Sequence, residues 1–378
     1  MLLQILFWFC ILLIAHTYLF YPFWMSRKAL EYHEREIEMK SWPQLDLLIA
    51  AYNEEKVIQK KIESCLNTNY PSDKIQLVIG SDRSNDQTDA IVQAMAEKDS
   101  RIRLVRFEER TGKPQIINHL VKESKADILI LSDADTFFEP DMLPALVRPF
   151  ANERVGGVQA RFISETNLSN DVATQELVYN NRELMIKKGQ SVNGVVIGAY
   201  GACYALKRNL YQAVPKGFLV DDFYLFMKVL EQGYQTVYAE SAQCRLEVSG
   251  YSKTEFKRKA RIGLGNYQNV FALKAFWNPF RNRASLYYWS HKMLRWLTPF
   301  LLILIGVSNY LLLGAHPVYA TLFGGQVLVY ALWPLDSLLK ELGIRIGVLR
   351  FLGHFFRMNL ALLLGFFRFL KGNASGTW

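Results

Sequence analysis

Four short strand-like runs set the tightest limit on how this chain can fold. Leu45–Ala51, Ile75–Ile79, Ile102–Phe107 and Ile128–Leu131 are rich in branched aliphatic residues, and stretches of helical periodicity or turn residues separate them. Strands alternating with helices imply right-handed βαβ units and a mostly parallel, doubly wound α/β sheet. Ligands bind such sheets outside the carboxyl ends of the strands. Three of these ends are polar: Tyr52-Asn53-Glu54-Glu55, Gly80-Ser81-Asp82-Arg83-Ser84-Asn85-Asp86 and Ser132-Asp133-Ala134-Asp135. Core packing does not call for that clustering, whereas a nucleotide crevice does.

The acid pair is the sharpest of the three. Side-chain direction repeats every two residues along a strand, so Asp133 and Asp135 point to one side where the fourth run ends. Two such carboxylates suit a hard cation; Mg²⁺ in particular keeps several waters and takes further oxygens from phosphates. Further along, Gly217-Phe218-Leu219-Val220-Asp221-Asp222 precedes a helical run over Phe223–Gln232. One acid there can serve the helix dipole, but a second, adjacent acid is less well explained that way. Small residues in Gly201-Ala202-Cys203-Tyr204-Ala205 let backbone approach a ligand or simply pack closely. Val155–Ala160 reads as a strand and Asp171–Lys188 as a helix.

Apolar residues concentrate at the two ends of the 378-residue chain, and its net charge is +9. Leu2 to Trp24 is long enough to span a bilayer, and Arg27 and Lys28 come directly after it. By the positive-inside rule, the chain beyond these two basic residues faces the cytosol. Leu294–Leu313 and Val318–Leu335 read as an out-and-back hairpin around Gly314-Ala315-His316-Pro317, and the aromatic, basic Phe276–Lys292 as an interfacial helix. In Phe351–Leu370, His354, Arg357 and Arg368 share one helical side with the preceding Arg350, which suits an interfacial helix or a span whose polar stripe faces protein. The expected organisation is an N-terminal transmembrane helix over 1–25, a linker over 26–43 and a cytosolic domain over 44–275. An interfacial helix over 276–292, a transmembrane hairpin over 293–336 and an interfacial or transmembrane helix with tail over 337–378 complete it.

Some classes are set aside. No Lys/Arg block interleaved with stacking aromatics points to nucleic acid, and no Gly-x-x-x-x-Gly-Lys-Ser/Thr loop points to a P-loop ATPase or kinase. Cys10, Cys65, Cys203 and Cys244 have no zinc-type spacing and read as reduced thiols.

The ordered motifs from about Leu45 to Gln268 resemble the family 2 glycosyltransferases, in particular the membrane-bound branch of cellulose, chitin and hyaluronan synthases and exopolysaccharide enzymes. The resemblance implies a GT-A-like fold between N-terminal and C-terminal transmembrane helices. It makes Ala51, Tyr52, Asn53 and Glu54 the first nucleotide-contacting loop, puts Asp82 on the base and sends Lys113 to the nucleotide. Asp133 and Asp135 become the Asp-x-Asp pair that holds Mg²⁺ or Mn²⁺ on the diphosphate. Asp222 becomes the general base, preceded by Asp221, and Arg258 and Arg261 grip the diphosphate. The chain departs from the family pattern at Ser81, at Val220-Asp221 and at Ile262, where processive synthases carry a tryptophan.

The implied activity is inverting transfer of a sugar from a nucleotide-sugar, a UDP-sugar first, to a glycan or lipid-linked acceptor at the cytosolic face of a membrane, the inner membrane in a bacterium. Partner subunits of an export complex are compatible with it. A nucleotidyltransferase of similar fold and a catalytically silent membrane subunit are the alternatives.

Overall fold

The computed structural model describes residues 1–34, 38–165, 171–247, 252–341 and 346–372. Residues 35–37 of the expected linker and 373–378 of the expected tail therefore lie outside the described residues. The chain divides into two units, one of Met25–Thr174 with Tyr179–Gly250, the other of Met1–Trp24, Gln175–Val178 and Tyr251–Asn373.

Among the described residues, the first unit is built on one eight-stranded sheet: β1 (Leu45–Ala51), β2 (Ile75–Ser81), β3 (Ile102–Arg106), β4 (Ile128–Ser132), β5 (Thr136–Phe138), β6 (Val155–Glu165), β7 (Cys203–Lys207) and β8 (Gln235–Glu247). Their order is β3-β2-β1-β4-β7-β6-β8-β5. The four predicted strands pair in parallel as β3-β2-β1-β4, with Leu45 opposite both Ile75 and Ile128. Every residue of β1 and of β4 is buried, as expected of central parallel strands covered on both faces.

Beyond β4 the sheet turns mixed. β7 runs antiparallel to β4 and β6, β6 and β8 are parallel, and β5 closes the edge antiparallel to β8. This half carries three strands that periodicity does not announce. β5 has only three residues, β7 begins inside the small-residue stretch, and β8 is broken by Glu240, Ser241, Gln243 and Arg245. A register shift between Ala160 and Arg161 displaces the β6–β8 pairing, so the alternation that marks a half-buried strand is lost. The expected strand Val155–Ala160 extends to Glu165, and the segment Val195–Gly201 is a loop with a single bridge from Val195 to Thr236.

Helices fill the crossovers. Ile58–Leu66, Thr88–Ala96 and Lys113–Glu123 follow β1, β2 and β3, and Asp221–Glu231 precedes β8. Asp86 starts the helix Thr88–Ala96, its Oδ1 accepting from Thr88 N–H at 2.9 Å and Thr88 Oγ1 at 2.6 Å.

The second unit is helical. Among the described residues, three helices are long and apolar enough to cross a membrane: Leu2–Glu31, Arg283–Leu311 and Gly347–Leu370. The fourth apolar run forms the helix Pro317–Glu341, but among the described residues its apolar stretch, Pro317–Leu332, is shorter than a spanning segment. The expected interfacial helix over 276–292 is not one helix. A short 3₁₀ turn ends at Phe276, and a new helix begins at Arg283, capped by Asn282 Oδ1 accepting from Ser285 N–H at 2.8 Å, and continues into Leu294–Leu311. Pro279 keeps Asn278 out of helical geometry, so the chain breaks there and restarts at the first good cap.

Candidate active site

Three loops at the carboxyl ends of β1, β2 and β4 meet. Asp82 N–H donates to the Ala51 carbonyl at 2.8 Å, joining the ends of β1 and β2. The loop after β1 is then laced to the loop after β2. Asn53 N–H reaches Ser84 Oγ at 3.2 Å, Asn53 Oδ1 accepts from Asn85 N–H at 3.0 Å, and Glu54 N–H reaches Thr88 Oγ1 at 2.8 Å. Asn53 and Arg83 both adopt positive φ, 56° and 58°. These bonds hold two non-glycine residues in the left-handed region, a local cost met where a loop must bend sharply at a binding edge.

Asp82 is fully buried and satisfied from the loop after β3. Its carboxylate accepts from Thr111 N–H at 2.5 Å, Gly112 N–H at 3.1 Å and Arg110 Nε at 3.2 Å. Arg110 in turn lies over the Tyr52 ring, 3.3 Å from its centroid, a cation–π contact. Asp82 thus holds Arg110 and the loop backbone in place, and Arg110 stacks on the Tyr52 ring at the end of β1. Arg110 is a residue that sequence reasoning passed over; its only signal was a basic side chain close to Gly112-Lys113.

Gly112, at φ 83°, turns the chain into the helix Lys113–Glu123, whose first residue is Lys113. Lys113 Nζ forms an ion pair with Asp133 Oδ1. Burial pulls the Lys113 ammonium down, but Asp133, Asp221 and Asp222 outweigh it and hold its pKa above the ordinary lysine value.

Asp133 lies just past β4, and its second oxygen faces Gly201. A Cβ placed on Gly201 would sit 3.2 Å from Asp133 Oδ2, 3.4 Å from Asp222 Oδ2 and 3.6 Å from Lys113 Nζ. Two carboxylates separated by 89 sequence positions thus face one point, with the Lys113 ammonium close to it. Asp222 is divided in the same way, because its Oδ1 accepts from Phe223 N–H at 2.7 Å at the start of its own helix. One oxygen serves the helix and the other faces the cleft.

The acids crowd each other. Burial and then Asp221 push the Asp222 carboxyl up to about 7, with Lys113 opposing. Burial and then Asp135 and Asp133 push Glu54 up to about 7, and burial and then Asp133 raise Asp135. Asp221 is buried, its Oδ2 has no hydrogen-bond partner among the described residues, and burial holds its carboxyl above the usual range. So many like charges in one cleft favour a bound cation.

The donor set also says what kind of cation. Among the described residues no three His, Cys, Asp or Glu side chains are arranged to hold a metal by themselves. Asp133 and Asp135 offer oxygens only, which fits a hard divalent ion that completes its shell with diphosphate and water.

Ala51, Tyr52, Asn53, Glu54, Asp82, Lys113, Asp133, Asp135, Asp221 and Asp222 all belong to the sheet unit. Arg258 and Arg261 lie on the helix Ser252–Ala272 of the other unit, and both are exposed.

Residues 46–214 match the model described as glycosyl transferase family 2. The chain is 25% identical over 248 residues to a protein named probable glycosyltransferase YdaM from Bacillus subtilis, an alignment covering 63% of this chain and 58% of that one. It is 32% identical over 132 residues to the beta-monoglucosyldiacylglycerol synthase of Nostoc sp., covering 34% of this chain and 28% of the relative. The chain thus spans under two thirds of the length of these curated relatives. Its fold resembles that of the mannosyltransferase PcManGT from Pyrobaculum calidifontis, solved with GDP-Man and Mn²⁺. That match has a TM-score of 0.69 at 19% identity and covers 97% of this chain and 99% of the other. The sheet, with its parallel half and polar strand ends, is therefore GT-A-like, and the chain carries a glycosyl transferase family 2 domain over residues 46–214.

Proposed function

We propose that the protein is a membrane-anchored, divalent-metal-dependent, inverting glycosyltransferase. It moves a sugar from a nucleoside diphosphate donor, a UDP-sugar first, to a hydroxyl of a glycan or lipid-linked acceptor at the cytosolic face. The convergence of Asp133, Lys113 and Asp222 on Gly201 carries this reading.

The roles follow from what each group can do. Tyr52 and the Asp82–Arg110 pair frame the base pocket. Asp133 and Asp135 hold the cation, which neutralises charge on the leaving diphosphate when bound. Lys113 adds a second positive charge at the same place, where charge develops as the glycosidic bond breaks. Asp222 Oδ2 takes the proton of the attacking hydroxyl, which enters from the face opposite the diphosphate. Its raised pKa suits a base that must release that proton again near neutral pH. The three long apolar helices supply the anchor.

The test is a panel of UDP- and GDP-sugars offered to membranes holding the protein, with the released nucleotide and the product mass read out. Metal-dependent nucleoside diphosphate release with a sugar-sized mass gain is the expected result, and Asp133→Ala loses donor binding. Pyrophosphate release would instead identify a nucleotidyltransferase. Failure to bind any nucleotide-sugar at millimolar Mn²⁺ would leave a silent membrane subunit.

A further inference from the structure

The helix Ile58–Leu66 turns Ile58, Lys61, Ile62 and Cys65 inward. A lysine therefore occupies one position of a stripe otherwise built of apolar side chains. Lys61 is fully buried. A buried ammonium persists only where its charge and donors are met, and here two hydrogen bonds and an aromatic ring meet them. Lys61 Nζ donates to Ser132 Oγ at 2.8 Å and to the Thr136 carbonyl at 2.5 Å, and lies 4.0 Å from the centroid of the Phe138 ring.

Those two oxygens flank the acid pair. Ser132 is the last residue of β4 and Thr136 the first of β5, so Lys61 braces the turn that carries Asp133 and Asp135. Ser132 Oγ passes the connection on by donating to the Ala202 carbonyl at 2.7 Å, and Asp133 N–H reaches the same carbonyl at 3.3 Å. Ala202 adjoins Gly201, the point on which Asp133 and Asp222 converge.

We infer that Lys61 is a positioning residue: it fixes the β4–β5 turn so that the Asp133 and Asp135 carboxylates meet at one divalent cation, and it ties that turn to the Gly201 loop. The inference rests on the function proposed above. Two roles for this lysine have opposite signs. As a mere counter-charge beside carboxylates it repels a cation, so its removal tightens metal binding. As a brace its removal lets the two carboxylates diverge and weakens binding; partners that orient metal ligands typically matter by about 10- to 100-fold in affinity.

The experiment uses the full chain in detergent. Mn²⁺ is titrated in the presence of UDP, and separately of GDP, and followed by electron paramagnetic resonance alongside thermal unfolding. Lys61→Met raises the Mn²⁺ Kd by roughly 10- to 100-fold and alters the bound Mn²⁺ spectrum. Ser132→Ala keeps the buried amine but cuts its connection to Ala202, and it shifts the Kd in the same direction by a smaller factor. That variant decides the matter if Lys61→Met does not fold. Ile62→Ala, on the same buried stripe, lowers the unfolding temperature without moving the Mn²⁺ Kd.

Unchanged or tighter Mn²⁺ binding in Ser132→Ala and in folded Lys61→Met overturns the inference. A wild-type protein that binds Mn²⁺ with neither nucleotide, or keeps binding it after Asp133→Ala, overturns the proposed function and this inference with it.

Discussion

Gly201→Ala tests the proposed chemistry with little disturbance to the fold. The added methyl would lie 3.2 Å from Asp133 Oδ2, 3.4 Å from Asp222 Oδ2 and 3.6 Å from Lys113 Nζ. These neighbours are the tips of side chains, so a shift of a few tenths of an ångström accommodates it. The stability cost stays below about 1 kcal/mol, a fall in Tm of no more than roughly 4 °C. Catalysis is far less tolerant. Reacting atoms must come within about 3–3.5 Å, and a misplacement of about 1 Å costs on the order of 10²-fold. A methyl group on the point faced by both carboxylates displaces whatever reacts there by at least that much. The expected loss in kcat/KM is therefore about 10²-fold or more, equivalent to ~2.7 kcal/mol in the barrier. The assay is nucleoside diphosphate release with the best donor from the panel, paired with thermal unfolding of the purified variant. An alanine variant with native Tm and activity within threefold of wild type would refute the reasoning, because the space between Asp133 and Asp222 would then not be where the reaction happens.

With Asp222 pushed up to about 7 and required as a carboxylate, kcat/KM rises with pH through about 7 and levels off above it; Asp222→Asn flattens that limb and costs about 10²–10⁴-fold. The same shift gives the linkage sign: the native state holds this proton more tightly than the unfolded chain. The group's contribution to stability is thus full below the ordinary aspartate pKa and is lost as pH rises to about 7, so Asp222→Asn unfolds no more easily than wild type at pH 8. Gly189→Ala acts on the fold alone. Its Cβ would lie 2.2 Å from the Met25 carbonyl oxygen, a backbone atom that cannot swing aside, and the variant loses about 1–3 kcal/mol in thermal unfolding. An unchanged Tm would show that the helix Asp171–Val192 does not pack on Met25.

The parallel half of the sheet was legible because β1, β2 and β4 are largely apolar runs between breaks, as burial on both faces demands, while the edge strand β3 still shows Ile102, Leu104 and Val105. The polar ends of β1, β2 and β4 were legible for the same reason, since acids directly after an apolar run have no place in its core. The pair Asp221-Asp222 stood out as one acid more than a helix start needs, but only resemblance to a motif made Asp222 the base. Its position opposite Asp133 depends on β7 and the loop before it, and no local pattern announces an antiparallel strand of small residues beside β4. β8 was hidden because its polar residues and its shifted register with β6 erase alternation. Lys61 left a trace, a charged residue at an apolar-face position of the helix Ile58–Leu66, but its role depends on the ends of β4 and β5. The sequence by itself determined the strand-and-helix alternation and which residues carry charge at strand ends. Tertiary structure alone decided which of those charges face each other, because hydrogen bonds such as Lys61 to Ser132 and Ser132 to Ala202 join residues 71 and 70 positions apart, and separations of that size leave no period in the chain to read.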